Sequence, residues 1–182
     1  GEEHREYFLT LCLASLLSPG NIPVIADDKR ARMVIVTPEE DWKAMQDDKA
    51  FVLMKRYIEP LFIALPPPKK GASKMLSMST GHRLASMCAY ENKALGVFVT
   101  PDLVLSDGTV RTLHRLAQEG RKVVLCSAVR FSWEGCKPEI KAMGGMQAGQ
   151  PLVLPPRQLT KMALRNMHTE TLRYNWDEPY FV

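Results

Sequence analysis

Two carboxylates five positions apart, Asp102 and Asp107, are the residues of this chain most able to do chemistry. The first follows a short apolar run at 97–99 and a proline, a pattern that predicts a buried strand ending beside Asp102. Open α/β sheets bind ligands at the carboxyl ends of their strands, where side chains face a crevice. Two interpretations are open: a metal-and-phosphate site, or turn formers that cap the following helix.

Carboxylate oxygens of this kind suit a hard divalent cation. A magnesium or manganese ion that bridges two phosphates needs only one or two protein carboxylates, and Asp102 would supply one. The ion would neutralise the charge that builds on a leaving diphosphate. The turn at 106–109 around Asp107 suits a helix start, where Ser and Asp side chains accept from free amides. Amides at that helix start could also hold a phosphate.

Basic side chains occur in the predicted elements on either side of these carboxylates. Arg83 and His82 lie in a long predicted helix, and the planar guanidinium of Arg83 suits a diphosphate. The alternative for both is an exposed pair on the helix surface. Arg130 follows a second predicted strand at 122–127 and either binds the same anion or forms an ordinary ion pair. His168 either ligates the metal or stabilises a helix end.

The elements that would position these residues alternate along the chain. Apolar periodicity predicts the helices, and short apolar runs predict the strands. Thr37 is predicted as the N-cap of a helix that starts at Pro38, with Glu40 completing a capping box. The predicted helices are 3–17, 73–91, 109–119, 138–143 and 157–168, and the predicted strands are 32–36, 51–54, 61–65, 97–99 and 122–127.

This alternation predicts an α/β fold, a Rossmann-like layered domain with a mainly parallel central sheet flanked by helices. The 182 residues suit a single domain. Residues 1–130 would form its core, and residues 131–182 a less regular C-terminal part. No G-x-G-x-x-G or G-x-x-x-x-G-K-[S/T] motif follows a predicted strand, which argues against a dinucleotide or P-loop site.

Composition excludes further classes of protein. The formal net charge is +4, and no clustered Lys/Arg stripe marks a nucleic-acid-binding surface. The four cysteines show no Cys-x-x-Cys spacing, which argues against a disulfide framework or a thiolate metal site. No apolar run approaches the roughly 20 residues that span a bilayer, and no leader pattern is present. We therefore expect a soluble, cytoplasmic protein without a transmembrane segment.

Three segments carry a resemblance to a known family. They are a helix running into Ser-Leu-Leu-Ser-Pro-Gly-Asn-Ile-Pro (15–23), a strand running into Val-Thr-Pro-Glu-Glu-Asp (36–41), and a long helix leading into 94–102. Together they resemble an A-type glycosyltransferase (nucleotide-diphospho-sugar transferase) domain over roughly residues 1–130. The resemblance implies binding of a nucleotide sugar, UDP- or GDP-linked, and transfer of the sugar to an acceptor.

The resemblance also implies roles for individual residues. In this family a D-x-D motif holds Mn²⁺ or Mg²⁺ against the donor diphosphate. The matching triplet here is Thr100-Pro101-Asp102, so that only Asp102 carries over as a metal and donor ligand. A late histidine, here His168, would complete the metal shell. The other donor-binding residues would be Arg83, His82, Asp107 and Arg130.

Two departures from the family pattern keep a second function open. Thr100 replaces the first carboxylate of the motif. The chain opens with a helix where family members usually begin with a base-contacting strand, so we expect a fragment of such a domain. The alternative is a non-catalytic binding or assembly domain with the same fold and a protein partner or oligomer. The spacing of the carboxylates selects no general base.

Overall fold

The computed structural model describes residues 1–67, 71, 74–126 and 128–173. In this part, the chain is a mixed α/β protein whose two strands, β1 (Arg32–Thr37) and β2 (Glu59–Ala64), form a parallel sheet. A π-helical segment (Phe8–Cys12) joins the first two helices, and a 3₁₀ turn (Ile22–Ile25) precedes β1. The helices are α1 (Glu2–Tyr7), α2 (Leu13–Leu16), α3 (Glu39–Met45), α4 (Lys49–Met54), α5 (Lys74–Glu91), α6 (Thr109–Gln118), α7 (Trp133–Ala142), α8 (Pro156–Arg165) and α9 (Thr169–Arg173).

The parallel sheet separates two sets of helices. Ile35 of β1 is buried in a core that includes Phe51 and Met54 of α4, and Trp42 of α3 stacks on Phe62 of β2 at 4.9 Å. Side chains alternate between the two faces of a strand, so Val36 points the other way. There it meets α5, which packs against β1. The predicted mixed α/β class is therefore confirmed, whereas the described residues form a sheet of only two strands and the Rossmann-like layered domain stays a prediction.

The N-terminal helical run contributes buried residues to both hydrophobic cores. Cys12, Leu13 and Leu16 belong to the core beneath β1, whereas Leu11 and Ala14 belong to a second core. The helical period places these residues on different sides of the same run, because successive residues are turned by about 100° around the axis. The second core is completed from the C-terminal part of the chain by Cys136, Ile140, Leu152, Leu154 and Met162.

Several predicted helices are confirmed. The long helix expected at 73–91 is α5, and the one expected at 109–119 is α6, which ends just before Gly120 with its positive φ of 83°. The last two predicted helices correspond to α7 and α8, although α7 begins five residues before the predicted 138–143. Pro138 lies inside α7 as its sixth residue.

The predicted strand at 51–54 is wrong, because these residues lie in α4. The signal for this helix is Asp48, whose Oδ1 accepts from Ala50 N at 2.8 Å and so caps the helix N-terminus. The predicted N-cap at Thr37 is also wrong. Thr37 is the last residue of β1, and Pro38 occupies the N-cap position without a side-chain cap.

The runs at 97–99 and 122–126 are not strands, and residue 127, the last of the second predicted strand, lies outside the described part. A strand requires a neighbour to satisfy its backbone groups, and no described segment pairs with either run. Val99 nevertheless packs against the core beneath β1, while Val97 and Phe98 are exposed.

Candidate functional site

A buried polar cluster joins the turn after α2 to the turn before α6. The side chain of Asn21 is fully buried, and its Nδ2 donates to Ser15 O at 2.9 Å, to Ser18 Oγ at 2.9 Å and to Ser106 O at 3.1 Å. Its Oδ1 accepts from Val110 N at 2.9 Å. Asn21 thus satisfies one of the free amides at the start of α6 from across the molecule.

Asp107 belongs to the same cluster. Its Oδ1 accepts from Gly20 N at 2.6 Å, and its own amide donates to Leu154 O at 2.8 Å. The predicted helix cap is wrong, because Gly108 is the N-cap of α6 and has no side chain to cap it; Asp107 instead holds the distant turn at Gly20. Gly20 is required at this position, since a Cβ there would lie 2.5 Å from Gly108 N and 2.7 Å from Asp107 Oδ1.

Ser15 connects the cluster to the segment that contains Asp102. The Oγ of Ser15 accepts from Leu105 N at 3.1 Å and donates to Cys12 O at 2.8 Å. Asp102 itself is exposed. Its carboxylate is nonetheless close enough to act on Cys12: burial raises the pKa of that thiol to about 12, and the charge of Asp102 adds to the rise.

The carboxyl ends of β1 and β2 lie beneath α5. A Cβ at Gly81 would be 3.9 Å from Val36 Cγ1 and 4.0 Å from Leu65 Cδ1, so α5 approaches the sheet closely at this residue. His82 and Arg83 follow directly and are exposed. Successive helical residues are turned by about 100°, so Arg83 lies on the side of α5 away from Gly81, and the structure does not bring it to the strand ends.

Arg83 borders a shallow groove along α5. The groove encloses about 460 Å³ and is lined by Arg83, Ser86, Met87, Tyr90 and Glu91. Within the described ranges, no ion pair of Arg83 with an acidic side chain is found. The guanidinium is thus free to meet an anion from solvent.

Arg130 and His168 lie together at the start of α9. Arg130 forms an ion pair with Glu170, and its carbonyl accepts from His168 N at 3.0 Å. The Nδ1 of His168 accepts from Glu170 N at 3.1 Å. These contacts correspond to the ion-pair interpretation of Arg130. The helix predicted at 157–168 ends at Arg165, so His168 lies beyond it and accepts from an amide at the start of α9. Because its Nδ1 is an acceptor, the Nε2 of the neutral ring carries the proton and is a hydrogen-bond donor.

No three His, Cys, Asp or Glu side chains gather closely enough to hold a metal ion in the part of the chain that the structure describes. Asp102 and His168, the two predicted metal ligands, therefore belong to no such group. A cation there would have to take most of its ligands from a substrate and from water, as magnesium commonly does.

The wider role of the Ser-Pro-Gly-Asn turn at 18–21 was not predicted from the sequence. A fully buried Asn needs partners for all of its polar atoms, so its contacts reach far along the chain. The available signal was the density of Ser and Asn next to an apolar helix. Asp41 was also missed. It is buried and accepts from Arg5 Nη1 at 2.7 Å.

Comparison of this chain with protein-family models, with curated proteins and with solved structures finds no match. Across the described residues, no helix combines the length and the apolar character needed to cross a membrane.

Proposed function

We propose that this chain is a nucleotide-sugar-binding domain of the A-type glycosyltransferase kind, acting in the cytoplasm. The observation that carries the proposal is the close approach of α5, at Gly81, to the carboxyl ends of two parallel strands, with His82 and Arg83 exposed on the same helix. Further support comes from the order of elements, in which β1, a helical connection, β2 and α5 follow one another as in Rossmann-like layers.

In this proposal, the basic side chains on α5 hold the donor diphosphate. Arg83 would bind two phosphate oxygens with its planar fork, and His82 would donate one further hydrogen bond. Asp107 would act through the turn that it holds, because its Oδ1 is already bonded to Gly20 N. Arg130 would reach the anion only by exchanging its pairing with Glu170.

Asp102 would bind Mn²⁺ or Mg²⁺ against the diphosphate, and His168 would join as the second protein ligand only by giving up the bond that its Nδ1 accepts from Glu170 N. The exposed carboxylate of Asp102 supplies the hard oxygen that such an ion prefers. The transfer itself would break the bond from the anomeric carbon to the diphosphate oxygen and form one to an acceptor oxygen, which loses its proton. Positive charge beside the leaving group would stabilise that step.

A second candidate function is a non-catalytic binding or assembly domain with a protein partner. It is favoured by the large apolar side chains that are exposed to solvent on α5 and on the unpaired runs at 97–99 and 122–126. Tyr90 is 85% exposed and Leu125 is 92% exposed. Soluble domains rarely leave many such residues uncovered unless another surface meets them. The others are Met75, Met78 and Met87 on α5, and Val97, Phe98, Val123 and Val124 on the two runs.

A thermal-shift screen separates the two candidates. The chain is heated with UDP-, GDP- and CMP-linked sugars, with and without Mn²⁺, and compared with Arg83→Gln and Asp102→Asn. Donor at a hundred times its dissociation constant adds about 2.7 kcal/mol of stability and raises the melting temperature. Arg157→Gln and Asp47→Asn are the matched controls, because both residues are exposed and distant in sequence from the site.

The outcomes assign the function as follows. A Mn²⁺-dependent shift that disappears in Arg83→Gln and Asp102→Asn but persists in both controls supports the donor site. A shift that needs Arg83 but no metal supports nucleotide binding and removes the metal role of Asp102. The absence of any shift leaves the assembly domain as the better proposal, and sedimentation with candidate partners then becomes the next measurement.

A further inference from the structure

β1 has an edge without a strand beside it in the described part of the chain, because β2 is its one described neighbour. Different helices cover the two faces of this sheet. α3 and α4 pack on the face that Ile35 presents, where Trp42 stacks on Phe62. α5 packs on the opposite face, where Gly81 contacts Val36.

The placement of these helices determines where the chain must go after α5. Connections between parallel strands of one sheet are nearly always right-handed. The connection from β1 to β2 crosses the Ile35 face, whereas the connection that leaves β2 crosses the other face. Two right-handed crossovers on opposite faces travel in opposite directions along the sheet. The segment that follows α5 is therefore directed to the free edge of β1.

The segment at 95–100 has the properties of a strand for that edge. Its residues 95–99 form no helix or turn, and its sequence is apolar except for Thr100. Val99 already packs against the core that contains Ile35, whereas Val97 is 53% exposed. Strand alternation would place Val97 and Val99 on the Ile35 face and Phe98 on the α5 face. Pairing would bury apolar surface that now faces water.

The two ends of this segment are held in place. α5 ends in a cap in which Ala94 N donates to Ala89 O at 2.9 Å and Lys93 adopts a positive φ of 49°. On the other side, Leu105 N is bonded to Ser15 Oγ in the buried polar cluster. The segment between them is thus a short strap anchored at both ends.

We propose that residues 95–100 dock in parallel onto the free edge of β1 as a third strand, giving the order β2, β1, strap. The strand order reverses between β1 and the strap, and α/β sheets bind ligands at such a reversal. Docking would bring Thr37, at the end of β1, beside Asp102, which follows the strap. The docking does not depend on the proposed function. Only the identity of the ligand in this crevice rests on that function.

Amide hydrogen exchange followed by mass spectrometry tests the docking in the full chain. Paired amides at 97–99 are expected to exchange at least ~100-fold more slowly than in an unstructured peptide of the same sequence. Val97→Glu should abolish this protection because it places a charge on the core face. Val153→Glu is the control and should leave this protection unchanged. Val153 is 45% exposed, similar to Val97, but it lies outside the strap. Circular dichroism confirms that both variants are folded.

Each outcome decides the proposal. Protection at 97–99 that is independent of protein concentration and is lost in Val97→Glu supports docking. Exchange at the rate of the free peptide, with and without UDP and Mn²⁺, overturns it. Protection that rises together with a dimer in sedimentation also overturns it, because the strap then pairs with a second copy. Protection that UDP and Mn²⁺ leave unchanged supports docking while counting against the nucleotide site alone.

Discussion

The Oδ1 of Asn21 accepts a hydrogen bond of 2.9 Å from the amide of Val110, 89 positions further along the chain. This single side chain therefore ties the turn after the N-terminal helical run to the first turn of α6. Both residues are buried, so water cannot replace the bond when it is lost. The segment that carries Asp102 and Asp107 owes its position to this connection.

Replacing Asn21 by Leu should destabilise the protein by about 2–4 kcal/mol, because it leaves several buried backbone groups without partners. The matched control is Asn92→Leu. Asn92 also bonds a backbone carbonyl, that of Cys88, but it is exposed at the end of α5, where water can take its place. Urea denaturation of the two variants measures the difference. Equal losses in the free energy of unfolding would show that the buried hydrogen bonds of Asn21 stabilise the protein no more than the exposed bond of Asn92.

Replacing Gly20 and Gly81 by Ala should change the stability of the protein in opposite directions. A Cβ at Gly20 would meet the backbone of Gly108 at 2.5 Å, so Gly20→Ala should cost about 2 kcal/mol or more. A Cβ at Gly81 would find only ordinary contacts, at 3.9 and 4.0 Å, within a helix. Gly81→Ala should therefore stabilise the chain by about 0.5–1 kcal/mol through helix propensity. Thermal denaturation measures both, and a stabilising Gly20→Ala would contradict the close approach.

The helices that could be predicted from sequence are those whose signals are local. α6 follows from apolar periodicity and from Gly120 after its last turn, whereas the apolar residues of α5 are spread around the helix and predict its presence only through their number. α4 was mistaken for a strand because its run at 51–54 is apolar throughout, and the deciding signal, the Asp48 cap, lies outside that run. An apolar run of four residues suits either element until its caps are considered.

The candidate site was predictable only in part, since its geometry depends on pairs far apart in the chain. Residue type suggested that Arg83 and Asp102 suit a phosphate or a metal, but no local pattern places Gly81 over Val36. The hydrogen bond between Asp107 and Gly20 joins residues 87 positions apart, and no sequence pattern near Asp107 predicts it. Where two distant segments meet is decided by the packing of whole elements.

Asp41 should make the free energy of unfolding depend on pH in the acidic range. Burial raises the pKa of this carboxyl, but the positively charged donors that it accepts from, Arg5 among them, outweigh that effect and hold it below its usual 3.8. A folded-state pKa below the unfolded value means that the ion pairs stabilise the protein above pH 3.8. This contribution is lost as the pH falls through the lowered folded pKa.

Replacing Arg5 by Met tests this dependence. At pH 7 the variant should lose about 1–2 kcal/mol, because the buried carboxylate keeps one partner instead of two. The melting temperature of the variant should fall less steeply than that of the parent below pH 4. Lys43→Met serves as control, since it breaks the exposed pair with Glu39 and should change stability by less than about 0.5 kcal/mol. Parallel acid profiles for the parent and Arg5→Met would rule out this role for Asp41.

Lys93 is the point at which the chain leaves α5 for the strap, and its backbone conformation makes a separate prediction. A φ of 49° places a Cβ close to the following carbonyl oxygen, which costs a non-glycine residue about 1 kcal/mol. Lys93→Gly removes this strain in the cap formed by Ala94 N and Ala89 O, so the variant should gain about 0.5–1 kcal/mol in urea denaturation. Lys122→Gly provides the comparison, since Lys122 has no positive φ and glycine there should be neutral or unfavourable. A loss of stability in Lys93→Gly would mean that the chain does not turn at this residue, and the strap would then begin elsewhere.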